Sequence, residues 1–288
     1  MPNCQILGIL NLTSDSFSDG GRYLDPQESL AHAKILLESG ADILDIGAES
    51  SHPDSESVPE ELEWERIQSL WNALDSSKSS NGKFPLEGDQ TTRINLWDNC
   101  KISIDSHKPF VLKKALERKV DYWNDITSLR EEESIRILEY SNHIPNLILM
   151  FSHNQGNRAS RESKLSPESI LETILRFFDL KRKSLIKIGI PEEKIIYDPG
   201  MGFFLGSDPD LSYTVLKGIS LLKQEFNRIC ISVSRKSFLT SAIGNLPPNQ
   251  RNFATLAAEI FAYSQGVDFI RTHEPLPICQ AISVWDKI

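Results

Sequence analysis

Eight short apolar runs recur along the chain, at residues 5–10, 42–46, 101–104, 121–126, 147–151, 194–197, 228–233 and 268–271. Each is of strand length, each ends in a polar or glycine-containing turn, and most lead into a longer stretch with helical spacing of apolar residues. Those stretches are 27–39, 60–74, 109–118, 166–188, 211–224 and 253–265. Strand and helix alternating in this way is the pattern of a parallel α/β fold, and eight units favour closure into a (β/α)8 TIM barrel. The chain's 288 residues suit one such domain. An open doubly wound sheet is the alternative, but it more often carries a GxGxxG turn after its first strand, and none is present.

Charged or amide residues follow the apolar part of nearly every run: Asn11, Glu49, Asp105, Asn124, His153, Asp198, Lys236 and His273. In a parallel barrel these positions converge on the face where the strands end, which is where barrel active sites are built. The polar stretch 75–99 is too long for an ordinary connection and precedes a strand, so it is expected on the opposite face as a surface insertion. A partner-binding loop is the sharper reading of the same stretch. No internal repeat interrupts the pattern, and the reading is a single domain over 1–288.

Composition narrows the partners. The net charge is −9 and lysine and arginine are scattered among acids, which argues against nucleic acid. The first residues, MPNCQILGILNLT, have neither a basic leader nor a membrane-length apolar run, so a cytoplasmic enzyme without a membrane partner is expected. Cys4, Cys100, Cys230 and Cys279 stand far apart without CxxC spacing and are expected to be buried free thiols. His52, His107 and His153 are spread over different loops without HxH or HExxH spacing, so a protein-ligated zinc is not expected. His32 and His143 read as surface or packing residues.

Six motifs lie at the strand ends. GILNLTSDSFSDGG (8–21) supplies an amide oxygen at Asn11, hydroxyls and backbone N–H groups suited to a phosphate or its metal, although the same residues serve turn geometry equally well. DIGAESSHP (45–53) and IDSHKP (104–109) bring acids into the cleft, where a buried carboxylate must be paired. Asp105 could instead cap the helix that begins near Pro109, a role open to Ser106 as well, and Asn124 with Asp125 could be turn chemistry. DPGMGFFLG (198–206) sets one acid before two glycines and an aromatic pair able to wall a flat ligand. SVSRKS (232–237) and RTHE (271–274) bring cations to the ends of the last two strands, a frequent phosphate location in barrels.

Taken together and in order, these motifs and the NDI at 124–126 resemble the dihydropteroate synthases, from about Ile6 to the C-terminus with only 75–99 foreign. In the details LTSDSFSDGGRYL, DPGMGFFLG, SVSRKSFL and DFIRTHEP the chain is most similar to the branch that includes sulfonamide-resistance synthases. The resemblance implies a transferase of folate biosynthesis. It would condense 6-hydroxymethyl-7,8-dihydropterin pyrophosphate with p-aminobenzoate to give 7,8-dihydropteroate and pyrophosphate. It implies that Asp105, Asn124, Asp198, Lys236 and Met150 bind the pterin, and that Asn11, His52, Arg271 and His273 hold the pyrophosphate. Asn11 would act through Mg2+. Ser51, Pro53, Phe203, Ser234 and Lys236 would border the p-aminobenzoate. Lys236, Asp105, Arg271 and His273 would be the catalytic set. A homodimer is implied too, with helices of the second half of the barrel as its guessed contact.

The chain also departs from the family pattern. His52 stands where the family commonly has a phosphate-contacting arginine, and Phe204–Leu205 where it often has Gly-Lys. Ser128–Leu129 replaces the resistance branch's Gly-Phe, and Glu49 is an acid that branch tends to lack, which leaves sulfonamide sensitivity open. Two other readings stand beside the synthase: a catalytically silent pterin-binding paralogue, kept alive by His52 and Phe204, and a barrel binding methyltetrahydrofolate for methyl transfer. The second would not need Arg271 and His273 as a pyrophosphate pair.

Overall fold

The computed structural model describes residues 4–13, 26–79, 100–154 and 156–288. Eight parallel strands appear where the apolar runs predict them: β1 Gln5–Asn11, β2 Ile43–Gly47, β3 Lys101–Asp105, β4 Tyr122–Asp125, β5 Asn146–Met150, β6 Ile195–Asp198, β7 Cys230–Ile231 and β8 Phe269–Thr272. Their order is β6-β5-β4-β3-β2-β1-β8-β7. A parallel bridge between Tyr197 and Ile229, with Tyr197 N–H donating to Arg228 O at 2.9 Å, joins the two ends and closes the barrel. β7 is shorter than its apolar run because that run divides its pairing, Ile229 bridging to β6 while Cys230 and Ile231 pair with β8.

The helices are α1 Pro26–Glu38, α2 Glu60–Ser79, α3 Pro109–Glu117, α4 Glu132–Glu139, α5 Ile170–Lys187, α6 Pro209–Lys217, α7 Ile219–Glu225, the single turn α8 Thr240–Ile243, α9 Asn252–Ser264 and α10 Pro275–Trp285. Three corrections to the sequence reading follow. The single helix expected at 211–224 is broken at Gly218, where a Cβ would come within 2.5 Å of Leu171, so glycine there admits close approach of α5. Helix α2 runs past Leu74 to Ser79, so the expected insertion begins inside a helix; its remainder, 80–99, lies outside the described residues, as does most of the loop after β1. All four cysteines are free, but only Cys230 is buried, while Cys4, Cys100 and Cys279 are half-buried.

Two apolar layers hold the fold. The larger lies between the barrel and its helices, with Ile46, Ile67, Ile104, Leu112, Trp123, Phe178 and Ile270 among its members. The smaller lies inside the barrel: Leu7, Ile43, Tyr122, Ile148, Ile196, Cys230 and Phe269. Each is contributed by a different strand, so they form one transverse layer and close the floor. Burying each large aliphatic side chain here contributes about 1.5–3 kcal/mol. Below them Tyr122 OH donates to Gln5 Oε1 at 3.1 Å, and the Arg228 guanidinium lies 5.1 Å from the Phe269 ring centroid.

Candidate active site

Because strand side chains alternate faces, the residues that follow the floor layer into the barrel lie two positions on. They are Ile9, Asp45, Asn124, Met150, Asp198, Ser232 and Arg271, and β3 adds Asp105 at the height of Gly47, its register partner. The floor is apolar and this next layer is polar. At its centre the Arg271 guanidinium donates from Nε to Asp45 Oδ2 at 2.5 Å and from Nη2 to Asp105 Oδ2 at 2.6 Å. Asn124 Nδ2 also donates to Asp45 Oδ2, at 3.2 Å. Asp45 is fully buried, and its second oxygen has no protein partner, nor has the neighbouring Ser103 Oγ. Buried polar atoms left open in this way take a partner from a bound water or a ligand.

Burial sets the electrostatics. It pushes the Asp198 carboxyl up to about 6, opposed by the Gly200 N–H that donates to Asp198 Oδ1 at 2.8 Å and by Lys236. It pushes Asp105 up to about 7 against the pull of Arg271. Burial and the nearby Arg271 draw Lys236 down to about 8, with Asp198 acting the other way. Arg271 keeps its charge: burial works against it, but Asp45 and Asp105 hold the guanidinium above its ordinary value. His273 is pulled down to about 3 by burial and then by Arg235, Arg271 and Lys236, so it is neutral at pH 7. A neutral imidazole beside three cations offers a hydrogen-bond donor without adding charge.

Local backbone explains how these groups reach the cavity. Gly200 adopts φ +71, and a Cβ there would fall 2.3 Å from Phe151 O, so only glycine lets the chain turn after Asp198 while packing on β5. The turn leads to Phe203 and Phe204, and the Lys236 ammonium sits 4.8 Å from the Phe204 ring centroid, a cation–π contact that holds a half-buried lysine in place. Arg235 takes a left-handed φ of 61, held by Thr255 Oγ1, which accepts from Arg235 N–H at 3.0 Å, and this turns Lys236 inward. Ser234 Oγ and His273 Nδ1 lie 2.9 Å apart.

Above the polar layer opens a cavity of about 570 Å³ whose walls include Asn11, Ser51, His52, Pro53, Asp105, Phe203, Ser234, Lys236, Arg271 and His273. The structure thus brings together every pyrophosphate and p-aminobenzoate residue expected from the sequence, with Asp105 and Lys236 from the pterin set. Asn124, Asp198 and Met150 are not in the open wall. They are buried, and Met150 packs with Phe204, Ala159 and Phe203. Asp105 is no helix cap: α3 begins after Lys108 with Pro109 in its first turn and no side-chain cap. His52 is half exposed, its Nδ1 accepts from Asp54 N–H at 3.3 Å, and its ring meets Phe203 edge-on at 6.3 Å, which sets it beside Phe203 in the cavity wall.

Several site residues were given no role from the sequence, Asp45 among them although it opens the motif at 45–53. Asp45 sits in mid-strand, and the signal that could have found it is a charge facing inward within an otherwise apolar run. Lys108 donates to Val58 O at 2.5 Å and pairs with Glu63 at 2.5 Å and with Glu49, tying the loop after β2 to α2 and β3. Glu63 is 1% exposed, a buried acid in a helix whose exposed neighbours Glu61 and Glu65 disguise it. At the rim Arg161 bonds Asp54 through both nitrogens, Nη1 at 2.9 Å and Nη2 at 2.5 Å, and lies over Phe203. Backbone bonds from Ala159 to Ser51, Ser160 to Phe203 and Ser207 to Arg161 join the loops after β2, β5 and β6 into one wall. Among the described residues no group of three or more His, Cys, Asp or Glu could hold a metal, and no helix is long and apolar enough to cross a membrane.

The family described as pterin binding enzymes matches residues 7–84 and 91–273. The type-3 dihydropteroate synthase of Escherichia coli is 37% identical over 281 residues, which cover 97% of each chain. Two solved structures share the fold over 99% of this chain. One is a Xanthomonas albilineans dihydropteroate synthase with 4-aminobenzoic acid, at 25% identity, TM-score 0.81 and 93% of that chain. The other is an Anaplasma phagocytophilum dihydropteroate synthase with bound 6-hydroxymethylpterin-monophosphate, at 27% identity, TM-score 0.80 and 99% of that chain. The strand order, the buried acids under a cation-lined cavity and these similarities agree, and the chain belongs to the pterin binding enzyme family and, within it, to the dihydropteroate synthases.

Proposed function

We propose that this cavity condenses 6-hydroxymethyl-7,8-dihydropterin pyrophosphate with p-aminobenzoate, releasing pyrophosphate and forming 7,8-dihydropteroate in the cytoplasm. The observation that carries the reading is the layer of buried acceptors, Asp45, Asn124 and Asp198, lying beneath a cavity lined by Asp105, Lys236, Arg271 and His273. A pterin presents a planar edge of N–H donors, the complement of such a floor, and the open Asp45 oxygen is one waiting acceptor. The relatives that hold 4-aminobenzoic acid and a pterin monophosphate support the same two halves of the site.

The chemistry asks for no enzyme nucleophile. The C–O bond between the pterin methylene and pyrophosphate breaks, the ring delocalises the positive charge, and the arylamine nitrogen forms the new C–N bond and sheds a proton. The protein's task is to hold the amine in line and to stabilise the departing anion. Arg271 and neutral His273 serve the anion, with Asn11 and the more exposed His52 at the same mouth. Lys236 and Met150 border the pterin. Ser51, Pro53, Phe203 and Ser234 wall the p-aminobenzoate, the slot for which a sulfonamide would compete. Asn11 supplies one amide oxygen rather than a carboxylate cage, a donor set that suits Mg2+ held mainly by substrate phosphate oxygens. The ion would supply charge neutralisation on the leaving group.

A homodimer completes the proposal. Its support is the apolar surface on the second-half helices, with Phe253 and Phe261 on α9 and Leu276, Val284 and Trp285 on α10 all exposed. The deciding experiment measures pyrophosphate release by the purified protein given the pterin pyrophosphate, Mg2+ and p-aminobenzoate. Release that requires p-aminobenzoate and disappears in Asp105→Ala and Lys236→Ala is the expected result. Pterin binding without release would instead identify a silent paralogue.

A further inference from the structure

One cation of the IDSHKP motif lies outside the cavity wall. Lys108 stands between β3 and α3, where its N–H donates to Ser106 Oγ at 3.3 Å and its carbonyl accepts from Leu112 N–H at 3.0 Å, so its base is fixed. Its side chain is 12% exposed, and the ammonium donates to Val58 O at 2.5 Å, pairs with Glu63 Oε2 at 2.5 Å and pairs with Glu49 Oε2. Glu49 opens the loop after β2 and Val58 closes it, while Glu63 belongs to the first turn of α2, which follows. Glu49, Ser51 and Pro53 line the cavity; Lys108 and Glu63 do not.

The loop has other ties, and they differ in kind. Arg66 Nη1 donates to Ala48 O at 3.0 Å, before the stretch that lines the cavity, and Ala159 N–H donates to Ser51 O at 3.1 Å. The pair between Arg161 and Asp54 is exposed, so water and salt screen it. The pairs made by Lys108 are buried and screened much less. Burial works against the ammonium, but the two glutamates hold it above its ordinary value, so it stays charged at neutral pH. The carboxylate in excess is met from the other side by Arg158, whose Nη2 lies 3.6 Å from Glu49 Oε1 in the wall after β5. Apolar packing would serve stability as well as such a buried cluster does. What the cluster adds is geometry, since one fixed ammonium gathers both ends of the loop.

We propose that Lys108 is a positioning residue for the p-aminobenzoate wall: by clamping Glu49 and Val58 to the start of α3 it sets where Ser51 and Pro53 stand before the arylamine arrives. The purpose of the clamp rests on the p-aminobenzoate slot proposed above; its existence does not. Attack by the amine nitrogen on the pterin methylene depends on alignment, and a displacement of about 1 Å in a positioning group can cost orders of magnitude in rate. Lys108 thus acts on the substrate only through the loop it holds.

The test compares the full chain in wild type, in Glu49→Gln, which leaves the pair of Lys108 with Glu63 intact, and in Lys108→Met with Glu63→Gln, which strands no charge on the helix. Hydrogen exchange without ligand reads the clamp. Amides of residues 48–59 are expected to exchange about tenfold faster in both variants, with the strands unchanged. Steady-state kinetics reads the purpose: KM for p-aminobenzoate is expected to rise about tenfold in both variants while KM for the pterin pyrophosphate holds. Loop exchange unchanged in K108M/E63Q overturns the clamp. Faster exchange with an unchanged KM for p-aminobenzoate, or an equal rise in both Michaelis constants, overturns the positioning role. A rise confined to E49Q, with K108M/E63Q like wild type, assigns Glu49 a direct contact with substrate and overturns it as well. A wild type that releases no pyrophosphate overturns the synthase reading instead, and exchange still judges the clamp.

Discussion

Inside one barrel, two adjacent layers of side chains follow opposite rules. The lower layer, from Leu7 and Ile43 round to Cys230 and Phe269, is apolar and asks only for volume. The layer above it buries Asp45, Asn124 and Asp198 and half-buries Asp105 and Arg271, groups that are costly out of water unless each finds a partner. Replacing such an ion pair by packed apolar residues is often neutral or stabilising, so stability alone does not account for it. The floor holds the strands together; the layer above it spends that rigidity on holding acceptors and cations at fixed spacing before any ligand arrives.

The strongest way to break the contrast is Arg271→Met. Removing the guanidinium leaves buried Asp45 and half-buried Asp105 without their shared cation, and unfolding in urea should show a loss of about 3 kcal/mol. Pyrophosphate release should fall about 100-fold or more, because a donor to the leaving group goes with it. Ile196→Ala in the floor is the matched control. It should cost about 2–5 kcal/mol by the same unfolding measurement while the folded protein keeps its Michaelis constants. Equal damage to KM from both variants would erase the distinction between the layers.

Titration sharpens the comparison with a smaller effect. Asp198 and Asp105 ionise at about 6 and about 7 in the folded protein, above the ordinary carboxylate value. As pH falls through that window they gain protons and cease to accept, so kcat/KM for the pterin pyrophosphate should decline. Stability should move the other way. Over the window between the ordinary value and these raised ones the two carboxyls bind more protons folded than unfolded, against the opposite pull of His273, lowered to about 3. In a His273→Asn background unfolding free energy should therefore rise as pH drops from about 7 toward 4. A stability that falls together with kcat/KM over this range would refute the assignment of burial as the cause.

The smallest effect belongs to the rim. Arg161→Ala breaks an exposed pair with Asp54 and a contact with Phe203, and thermal unfolding should register a change within about 1 kcal/mol. KM for p-aminobenzoate should rise by about threefold or less, with the KM for the pterin pyrophosphate untouched.

Much of this was legible in the chain. The runs that predicted eight strands lie within a few residues of the observed ones, since a strand buried on both faces must be apolar and short. Helix α4 escaped because it buries only Ser134 and Leu138, too few positions to show a period, and α10 because Pro275 and Pro277 resemble loop residues although proline is tolerated in a first helical turn. The site residues found in advance, Asp105, Asn124, Asp198, Lys236, Arg271 and His273, all stand at or just beyond a strand end, where a polar residue breaks an apolar run. Asp45, first residue of the motif at 45–53, was given no role because it sits inside its strand; Glu63 was missed inside its helix, and Arg161 because nothing local marks an arginine that will fold over a distant ring.

The amino-acid sequence by itself determined the alternation of strands and helices, and with it the barrel and the end of the barrel that carries the chemistry, because those follow from local periodicity and strand direction. Only the tertiary structure decided who pairs with whom. Arg271 reaches Asp45 and Asp105 across 226 and 166 residues of chain, and Ser234 after β7 meets His273 after β8. Such pairings depend on strand register and barrel closure, which bring side chains within a hydrogen bond's length without leaving any trace in their neighbours along the chain.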